Sequence, residues 1–282
     1  MTYKIVSDSS CNMFSLEQVP FENVPMKIRT DNKEYIDNQE LDTAAMMQDL
    51  LKYKGKSGTA CPSVGEWLDA FGDNDVVFGV TITSNLSGSY NSAMDAKHLF
   101  EEAHPDKKIH VVDSLSTGPE QDLIVEKLQE LILAGKPFED IVAEISEYKK
   151  STHLLFSLES LKNLANNGRV SPMVAAMAGI LGIRLVGKAS DVGTLEPMHK
   201  CRGEKKALET MLSTMMNDMG YKGGKVVIGH GLNLNAAQTL KAMIQKQYPN
   251  ADIVIRDHAG LDCFYAEKGG VLLGFEGSKK FD

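Results

Sequence analysis

The sequence predicts an α/β protein in which parallel strands alternate with helices. Short strand-like runs alternate along the chain with longer helical patterns. The run Asp75–Ile82 is apolar along nearly its whole length, as expected for a central parallel strand. The helix predicted at Pro119–Gly135 begins with Pro and ends with Gly, which is the usual placement of these residues. A chain of 282 residues is long enough for two such domains.

The first half is predicted to open with strands and to continue as a β-α series. Tyr3–Ser7 is the first predicted strand, and Asn23–Thr30 is the second, with Lys33–Asp37 pairing to it across a turn. Asp42 is the predicted N-cap of a helix that ends at Tyr53. The remaining elements predicted here are the strands Asp75–Ile82 and Lys108–Ser114 and the helices Ser89–Ala103, Pro119–Gly135 and Pro137–Lys150.

We place a domain boundary near residue 151, which gives a Rossmann-like parallel-sheet domain at 1–151 and a second α/β domain with a mixed sheet at 152–282. The segment Met173–Ile183 is apolar almost all round and is expected to be buried or to line a cavity. The other elements predicted in this half are the strands Thr152–Ser157, Thr194–Arg202, Lys225–Gly231 and Ala251–Gly260 and the helices Leu158–Arg169, Lys205–Gly220 and Asn235–Tyr248.

Composition and charge exclude several classes of protein. The net charge is -8, and no dense Lys/Arg run with interleaved aromatic residues is present, which argues against nucleic acid as a partner. The start of the chain is too polar for a signal peptide, and the longest apolar stretch contains Arg184 and falls short of a membrane span. The four cysteines are scattered and the seven histidines dispersed, so we expect reduced thiols, no metal site and a cytoplasmic location.

Three predicted strand-to-helix junctions carry small hydroxyl residues, at Ser7–Cys11, Thr59–Glu66 and Thr83–Ser89. In a parallel sheet such junctions meet along one edge, where free N–H groups and helix N-termini favour an anion. Each loop alone is explained by helix capping, and Ser63–Glu66 fits a capping box. Together they indicate an anion site without identifying the anion, and Gly88 would allow close backbone approach.

Several other residues allow a functional or a structural interpretation. Cys61, at a helix start, could act as a nucleophile only with a base from far along the chain, such as His258. His258 itself is either an ordinary loop histidine or a hydrogen-bond donor to an anion. Arg202 either pairs with a carboxylate or phosphate or is a solvated cation. Six methionines of the second half fill a core or line an apolar tunnel: Met173, Met177, Met211, Met215, Met216 and Met219.

The chain resembles the DegV family, a bacterial fatty-acid-binding family, along nearly its whole length. The order and spacing of the motifs carry the resemblance, and Leu86–Ala93 is the closest match. The motifs are VSDSS at 6–10, TACPSVGEW at 59–67, TSNLSGSYNSA at 83–93, VVDSLSTG at 111–118, SLKNLANNGRVS at 160–171, CRGEKKA at 201–207 and DHAG at 257–260.

The resemblance implies a two-domain DegV-like fold that holds one long-chain fatty acid as its ligand and needs no other cofactor. The carboxylate is expected at the domain junction and the acyl chain in an apolar tunnel of the second domain. The residues implied to bind the carboxylate are Thr59, Ala60, Ser84, Ser87, Arg202 and His258. The resemblance further implies a non-catalytic acyl carrier for a bacterial fatty acid kinase, with no stable membrane insertion.

Three residues depart from the family pattern. Ala60 stands where the family usually has Ser, and Ala259 stands in HAGLD where the family often has H-T-G-x-G. Each change removes a hydroxyl. Asp262, in the same segment, would repel a ligand carboxylate if its side chain pointed inward.

Two other functions remain open at the level of sequence. Ser87 or Cys61 with His258 could hydrolyse an acyl ester, although the segment NLSGS lacks the G-x-S-x-G nucleophile motif. The same hydroxyl-rich edge could also hold a phosphate or sugar phosphate.

Overall fold

The computed structural model describes residues 1–176 and 182–280. In chain order the strands are β1 (Tyr3–Asp8), β2 (Phe21–Val24), β3 (Lys27–Thr30), β4 (Glu34–Ile36), β5 (Ser57–Ala60), β6 (Val76–Thr81), β7 (Lys108–Asp113), β8 (Thr152–Leu158), β9 (Ile183–Ala189), β10 (Leu195–Arg202), β11 (Val226–His230), β12 (Ile253–Asp257) and β13 (Val271–Glu276). The α-helices are α1 (Thr43–Lys52), α2 (Val64–Phe71), α3 (Ser89–Ala103), α4 (Gly118–Leu133), α5 (Phe138–Tyr148), α6 (Lys162–Asn166), α7 (Pro172–Ala175), α8 (Glu204–Asn217), α9 (Leu234–Gln247) and α10 (Gly260–Ala266).

The first sheet is parallel, with strand order β2-β1-β6-β7. Every residue of β6 is buried, which confirms the central parallel strand predicted from its apolar run. Helices α2 and α3 cover one face, where Trp67, Phe71 and Phe100 pack. Helices α4 and α5 cover the other face with Leu128 and Ile141. The first sheet therefore has the two covered faces of an α/β domain.

The prediction of a single strand at Asn23–Thr30 is wrong, because the segment forms two strands, β2 and β3, with Pro25 between them. Strand β2 joins the parallel sheet, whereas β3 pairs antiparallel with β4 and β5 in a separate three-stranded sheet. Pro25 has no N–H for a ladder bond, and the N–H of Met26 donates to Oγ of Ser9 at 2.9 Å instead. The predicted pairing across the Asp31-Asn32 turn is confirmed by β3 and β4.

The second large sheet is mixed, as predicted, with strand order β10-β9-β8-β13-β11-β12. Its β11-α9-β12 unit is parallel, whereas the other neighbouring strands are antiparallel. Helix α4 packs against β1 and β6 of the first sheet and against β8, β11 and β13 of the second. It is thus a layer common to both sheets, and the boundary at residue 151 stays a prediction.

Met211 and Met215 on α8 and Met219, which follows it, are buried with residues of α9 and β11 in one cluster, which favours ordinary packing over a tunnel. Met216, also on α8, is half-buried. Met173 on α7 is 81% exposed, contrary to the expected burial of Met173–Ile183, and residues 177–181 of that segment lie outside the described residues. Within the described ranges, no helix combines the length and apolar character needed to cross a membrane.

Candidate functional site

The first hydroxyl-rich loop, Ser7–Cys11, does not form an open anion site. The side chains of Ser7, Ser9 and Ser10 are fully buried and are hydrogen-bonded within the protein; Ser7 Oγ donates to the carbonyl of Val80 at 3.2 Å. Ser10 Oγ donates to Oδ1 of Asp8 at 2.5 Å, and Ser9 Oγ donates to Oδ2 of Asp37 at 2.8 Å. Burial raises the pKa of Asp8, and these hydrogen bonds oppose that shift. The expectation of an anion at this junction is therefore wrong.

In the second loop, Ser63 has a structural role and Thr59 lines the pocket. Ser63 caps α2 and exchanges hydrogen bonds with Glu66, which confirms the predicted capping box. Thr59, on β5, directs Oγ1 toward the phenol oxygen of Tyr265 at 2.8 Å. Ala60 follows Thr59 on the same strand and, because side chains alternate along a strand, lies outside the pocket lining.

The third loop places one of its two predicted serines at the pocket. Ser87 lines the pocket, and its Oγ accepts from the N–H of Ser89 at 3.3 Å. Ser84 is exposed, and its N–H donates to Oδ1 of Asp113 at 3.2 Å. Ser84 therefore shapes the turn after β6 and does not line the pocket.

The pocket lies between α10, α6 and the strands β8, β10 and β13. Its apolar lining consists of Met26, Ile82, Leu86, Leu154, Phe156, Leu158, Leu164, Leu195, Leu261, Ala266 and Leu272. Its polar lining consists of Thr59, Ser87, Thr117, Arg169, Asp262 and Tyr265. Residues from both halves of the chain thus build one largely apolar cavity with a few polar groups, the usual character of a small-molecule site.

The cation of the pocket is Arg169, not Arg202. The guanidinium of Arg169 lies 5.9 Å from the ring centroid of Tyr265, and its Nε donates to the carbonyl of Leu86 at 3.1 Å. Its Nη1 donates to the carbonyl of Asn167. Arg202 is exposed at the end of β10, an edge strand of the mixed sheet, where its side chain meets solvent. Sequence reasoning missed Arg169 as a site residue, although it lies within the motif at 160–171.

His258 is placed behind the pocket rather than in its lining. It is 2% exposed, and its ring lies so close to Gly229 that a Cβ there would be 2.6 Å from Nε2. Burial lowers the pKa of His258 to about 3, so the imidazole is neutral. In residues 1–176 and 182–280, no group of three or more His, Cys, Asp or Glu side chains is arranged to hold a metal ion.

Asp262 is among the residues that line the pocket. The carboxyl is 5% exposed and accepts hydrogen bonds from Asn12 Nδ2 at 3.0 Å and Thr117 Oγ1 at 3.3 Å. Burial raises its pKa to about 7, and the nearby carboxyls of Asp122 and Asp37 add to that shift. The pocket therefore contains a carboxyl group that is partly protonated at neutral pH.

Helix α10, which carries Asp262 and Tyr265, is positioned from the other half of the chain. Asp37 follows β4 and accepts from the N–H groups of Gly260 at 2.5 Å and Leu261 at 2.8 Å. Asp37 is fully buried, and burial raises its pKa to about 6. No local signal in the sequence indicates this cap, because 223 positions separate Asp37 from Gly260.

The fold and the pocket define an α/β protein with a parallel sheet, a mixed sheet and a small antiparallel sheet, and with a largely apolar pocket whose described lining includes the cationic side chain of Arg169. The chain belongs to the DegV family, since the family model described as "Uncharacterised protein, DegV family" matches residues 2–272. The resemblance inferred from the sequence is thereby confirmed. A DegV domain-containing protein of Streptococcus gordonii is 44% identical over 280 residues, which cover 98% of this chain and 99% of the relative.

Two similar crystal structures contain a ligand. A DegV family protein from Eubacterium eligens, loaded with heptadecanoic acid, has a TM-score of 0.96 and 46% identity, covering 98% of this chain and 100% of its own. The Streptococcus pneumoniae Fatty Acid Kinase (Fak) B3 protein, loaded with linoleic acid, has a TM-score of 0.96 and 43% identity, covering 99% and 100%. Both likenesses extend over the whole fold described above.

Proposed function

We propose that this protein binds one long-chain fatty acid, with the carboxylate at Thr59, Ser87 and Arg169 and the acyl chain along the leucine-rich wall. The observation that carries the proposal is the lining of the pocket, where hydroxyls and a single guanidinium accompany a mostly apolar surface. The two ligand-loaded neighbours support the same class of ligand.

We assign the ligand carboxylate to Arg169 because, among the described residues, no carboxylate of the protein neutralises the charge of its guanidinium. Among the described residues, no carboxylate forms a salt bridge with Arg169, whereas the buried Arg184 is paired with Glu159 and Glu204. Hydrogen bonds from hydroxyls and a guanidinium to a carboxylate are stronger than bonds between neutral groups. Ala60, Ser84, Arg202 and His258 lie outside the pocket lining and take no part in this head site.

The apolar wall supplies affinity. Leu154, Phe156 and Leu158 of β8 line it together with Leu195 and Leu272. Each acyl CH₂ transferred from water to this wall contributes about 0.8 kcal/mol.

The finer proposal is that the protein is a non-catalytic, cytoplasmic acyl carrier that presents the carboxylate to a fatty acid kinase. Its likeness to the pneumococcal Fak B3 protein supports this role. An ester hydrolase is less well supported, because among the described residues no hydrogen bond joins His258 to Ser87 or Cys61. A phosphate binder is less well supported because of the long apolar wall.

Native mass spectrometry of the purified protein, followed by calorimetry after delipidation, tests the proposal. We expect a co-purified long-chain fatty acid and a several-fold weaker affinity in Ser87→Ala, which loses one hydrogen bond of about 1 kcal/mol. Ser84→Ala is the matched control, because Ser84 lies in the same loop but outside the pocket. A phosphorylated ligand, or equal loss in both variants, would contradict the assignment.

A further inference from the structure

The pocket contains a carboxyl group in addition to the proposed site for a ligand carboxylate. Asp262 lines the same cavity as Ser87 and Arg169, and 95% of its surface is removed from solvent, since its exposure is 5%. Asn12 donates to Oδ2 and Thr117 donates to Oδ1. Both carboxyl oxygens thus already accept a hydrogen bond from the protein.

No neighbouring cation neutralises Asp262. Within residues 1–176 and 182–280, no Lys, Arg or His forms a salt bridge with it, and Arg256, on β12, is paired with Asp122 at 3.3 Å and Glu126 at 2.7 Å. The titratable and charged groups around α10 and the pocket are Asp37, Asp122, Arg169, His230, Arg256, His258, Cys263 and Tyr265. Among these, the carboxyls of Asp37 and Asp122 disfavour a charge on Asp262.

On the basis of the proposed function, we propose that Asp262 makes fatty acid binding proton-coupled, so that one solvent proton is taken up at Asp262 when a ligand carboxylate enters the pocket. Asp262 is buried and lines the same pocket as Ser87 and Arg169, so a ligand carboxylate there and an ionised Asp262 repel each other, and one of the two carboxyl groups retains a proton. The protonated Asp262 then has an O–H to donate. The Asn12 amide N–H₂ cannot accept this proton, which leaves the ligand carboxylate and the Thr117 hydroxyl oxygen as acceptors.

The same coupling sets how affinity varies with pH. Burial raises the pKa of Asp262 to about 7 in the empty pocket, and the ligand's negative charge raises it further. Below pH 7 the carboxyl already carries its proton, and binding takes up little. Above pH 7 each binding event takes up a proton, so affinity falls by up to about tenfold per pH unit. Asp262 therefore selects against anionic ligands at high pH while leaving neutral ligands unaffected.

Calorimetry of heptadecanoic acid binding to delipidated protein at pH 8, in phosphate and in Tris, measures this proton uptake. The wild type is expected to take up close to one proton and to bind roughly tenfold more weakly at pH 8.5 than at pH 7.5. Asp262→Asn is expected to take up none and to vary less than about twofold over that range. 1-Heptadecanol, which has no carboxylate, is expected to bind the wild type without proton uptake.

Proton uptake of the wild type below about 0.2 at pH 8, or uptake by Asp262→Asn equal to the wild type, would overturn the proposal. The comparison of acid with alcohol uses wild-type protein alone, so the test stands even where the variant does not fold. Absence of any heptadecanoic acid binding by the wild type at pH 6.5 overturns the proposed function as well. Binding that occurs at pH 6.5 and shows no proton uptake at pH 8 overturns only the role of Asp262.

Discussion

The hydroxyl of Thr59 and the phenol of Tyr265 lie 2.8 Å apart, although 206 positions separate the two residues in the chain. The bond joins β5 of the small antiparallel sheet to α10 beside the pocket. It orients the Thr59 hydroxyl that we assign to the ligand carboxylate, and the guanidinium of Arg169 lies against the same phenol ring. Two groups of the proposed head site, Thr59 and Arg169, thus both contact Tyr265.

Removal of this bond by Tyr265→Phe is expected to lower the free energy of unfolding by about 1 kcal/mol, since a half-buried hydrogen bond is lost and the ring is kept. Urea denaturation of delipidated protein measures the change. Tyr53→Phe is the matched control, because the Tyr53 phenol bonds only to the exposed Asp31. A smaller loss in Tyr265→Phe than in the control would argue against a structural role for the Thr59 bond.

Substitution of the pocket cation tests the difference between Arg169 and Arg202. Arg169→Gln is expected to weaken fatty acid binding by about tenfold or more, because a charge-assisted bond contributes about 1.5–3 kcal/mol. Arg202→Gln is expected to leave the Kd within about twofold, since Arg202 lies outside the pocket. Calorimetry at pH 6.5 provides both values, and the reverse order of effects would show that the head site is misplaced.

The cap of α10 provides a third prediction. Asp37→Ala removes two acceptor bonds at Gly260 and Leu261, which is expected to destabilise the protein by about 2 kcal/mol. Amide hydrogen exchange within 260–266 is expected to accelerate, and fatty acid binding to weaken. Asp42→Ala, which removes the N-cap of α1, is expected to cost about 1 kcal/mol and to leave exchange in α10 unchanged. Unchanged exchange of α10 in Asp37→Ala would refute the positioning role.

The empty protein is predicted to have a pH-dependent stability that Asp262 partly causes. The folded-state pKa of Asp262, about 7, lies above the ordinary aspartate pKa of 3.8, so between these pH values the folded protein binds more protons than the unfolded chain. The contribution of Asp262 to the free energy of unfolding is therefore about 1 kcal/mol more favourable at pH 6 than at pH 8.

Urea denaturation of the delipidated wild type and of Asp262→Asn at both pH values isolates this contribution. The pKa of His258 is lowered to about 3, so this residue makes the folded protein less stable as pH falls. His258 is present in both proteins, and its effect therefore cancels in the comparison. From pH 8 to pH 6 the free energy of unfolding is expected to rise by about 1 kcal/mol more in the wild type than in Asp262→Asn. The same difference between the two pH values in both proteins would exclude Asp262 as the cause.

The sequence predicted those features that depend on local pattern. The apolar run of β6 and the capping box of α2 are examples, because strand burial and helix capping act over a few residues. Thr59 and Ser87 were found through their loops and through the family motifs. The same motifs led to the prediction of Ala60 and Ser84 as site residues. In the structure, the alternation of side chains along β5 directs Ala60 away from the pocket, and the turn after β6 directs Ser84 away from it.

The features that the sequence did not predict depend on distant partners. Strand β13 pairs with β8 and β11, which precede it in the chain by many residues, and α10 is capped by Asp37. Arg169 follows α6 as an ordinary polar residue at a helix end, and only the placement of Tyr265 and Leu86 reveals its role. The motif match therefore indicated segments that contribute residues to the pocket lining, but it did not indicate which side chains line it.

The cap that Asp37 provides for α10 has a consequence for synthesis of the chain. During translation the acceptor is made 223 residues before its donor, so the N-terminal half leaves the ribosome with Asp37 still unpaired. The residues Leu261, Asp262, Tyr265 and Ala266 of α10 and then Leu272 of β13 are the lining residues that are synthesised last. A nascent fragment that ends before α10 therefore lacks these lining residues and leaves the carboxyl of Asp37 without the N–H groups of Gly260 and Leu261.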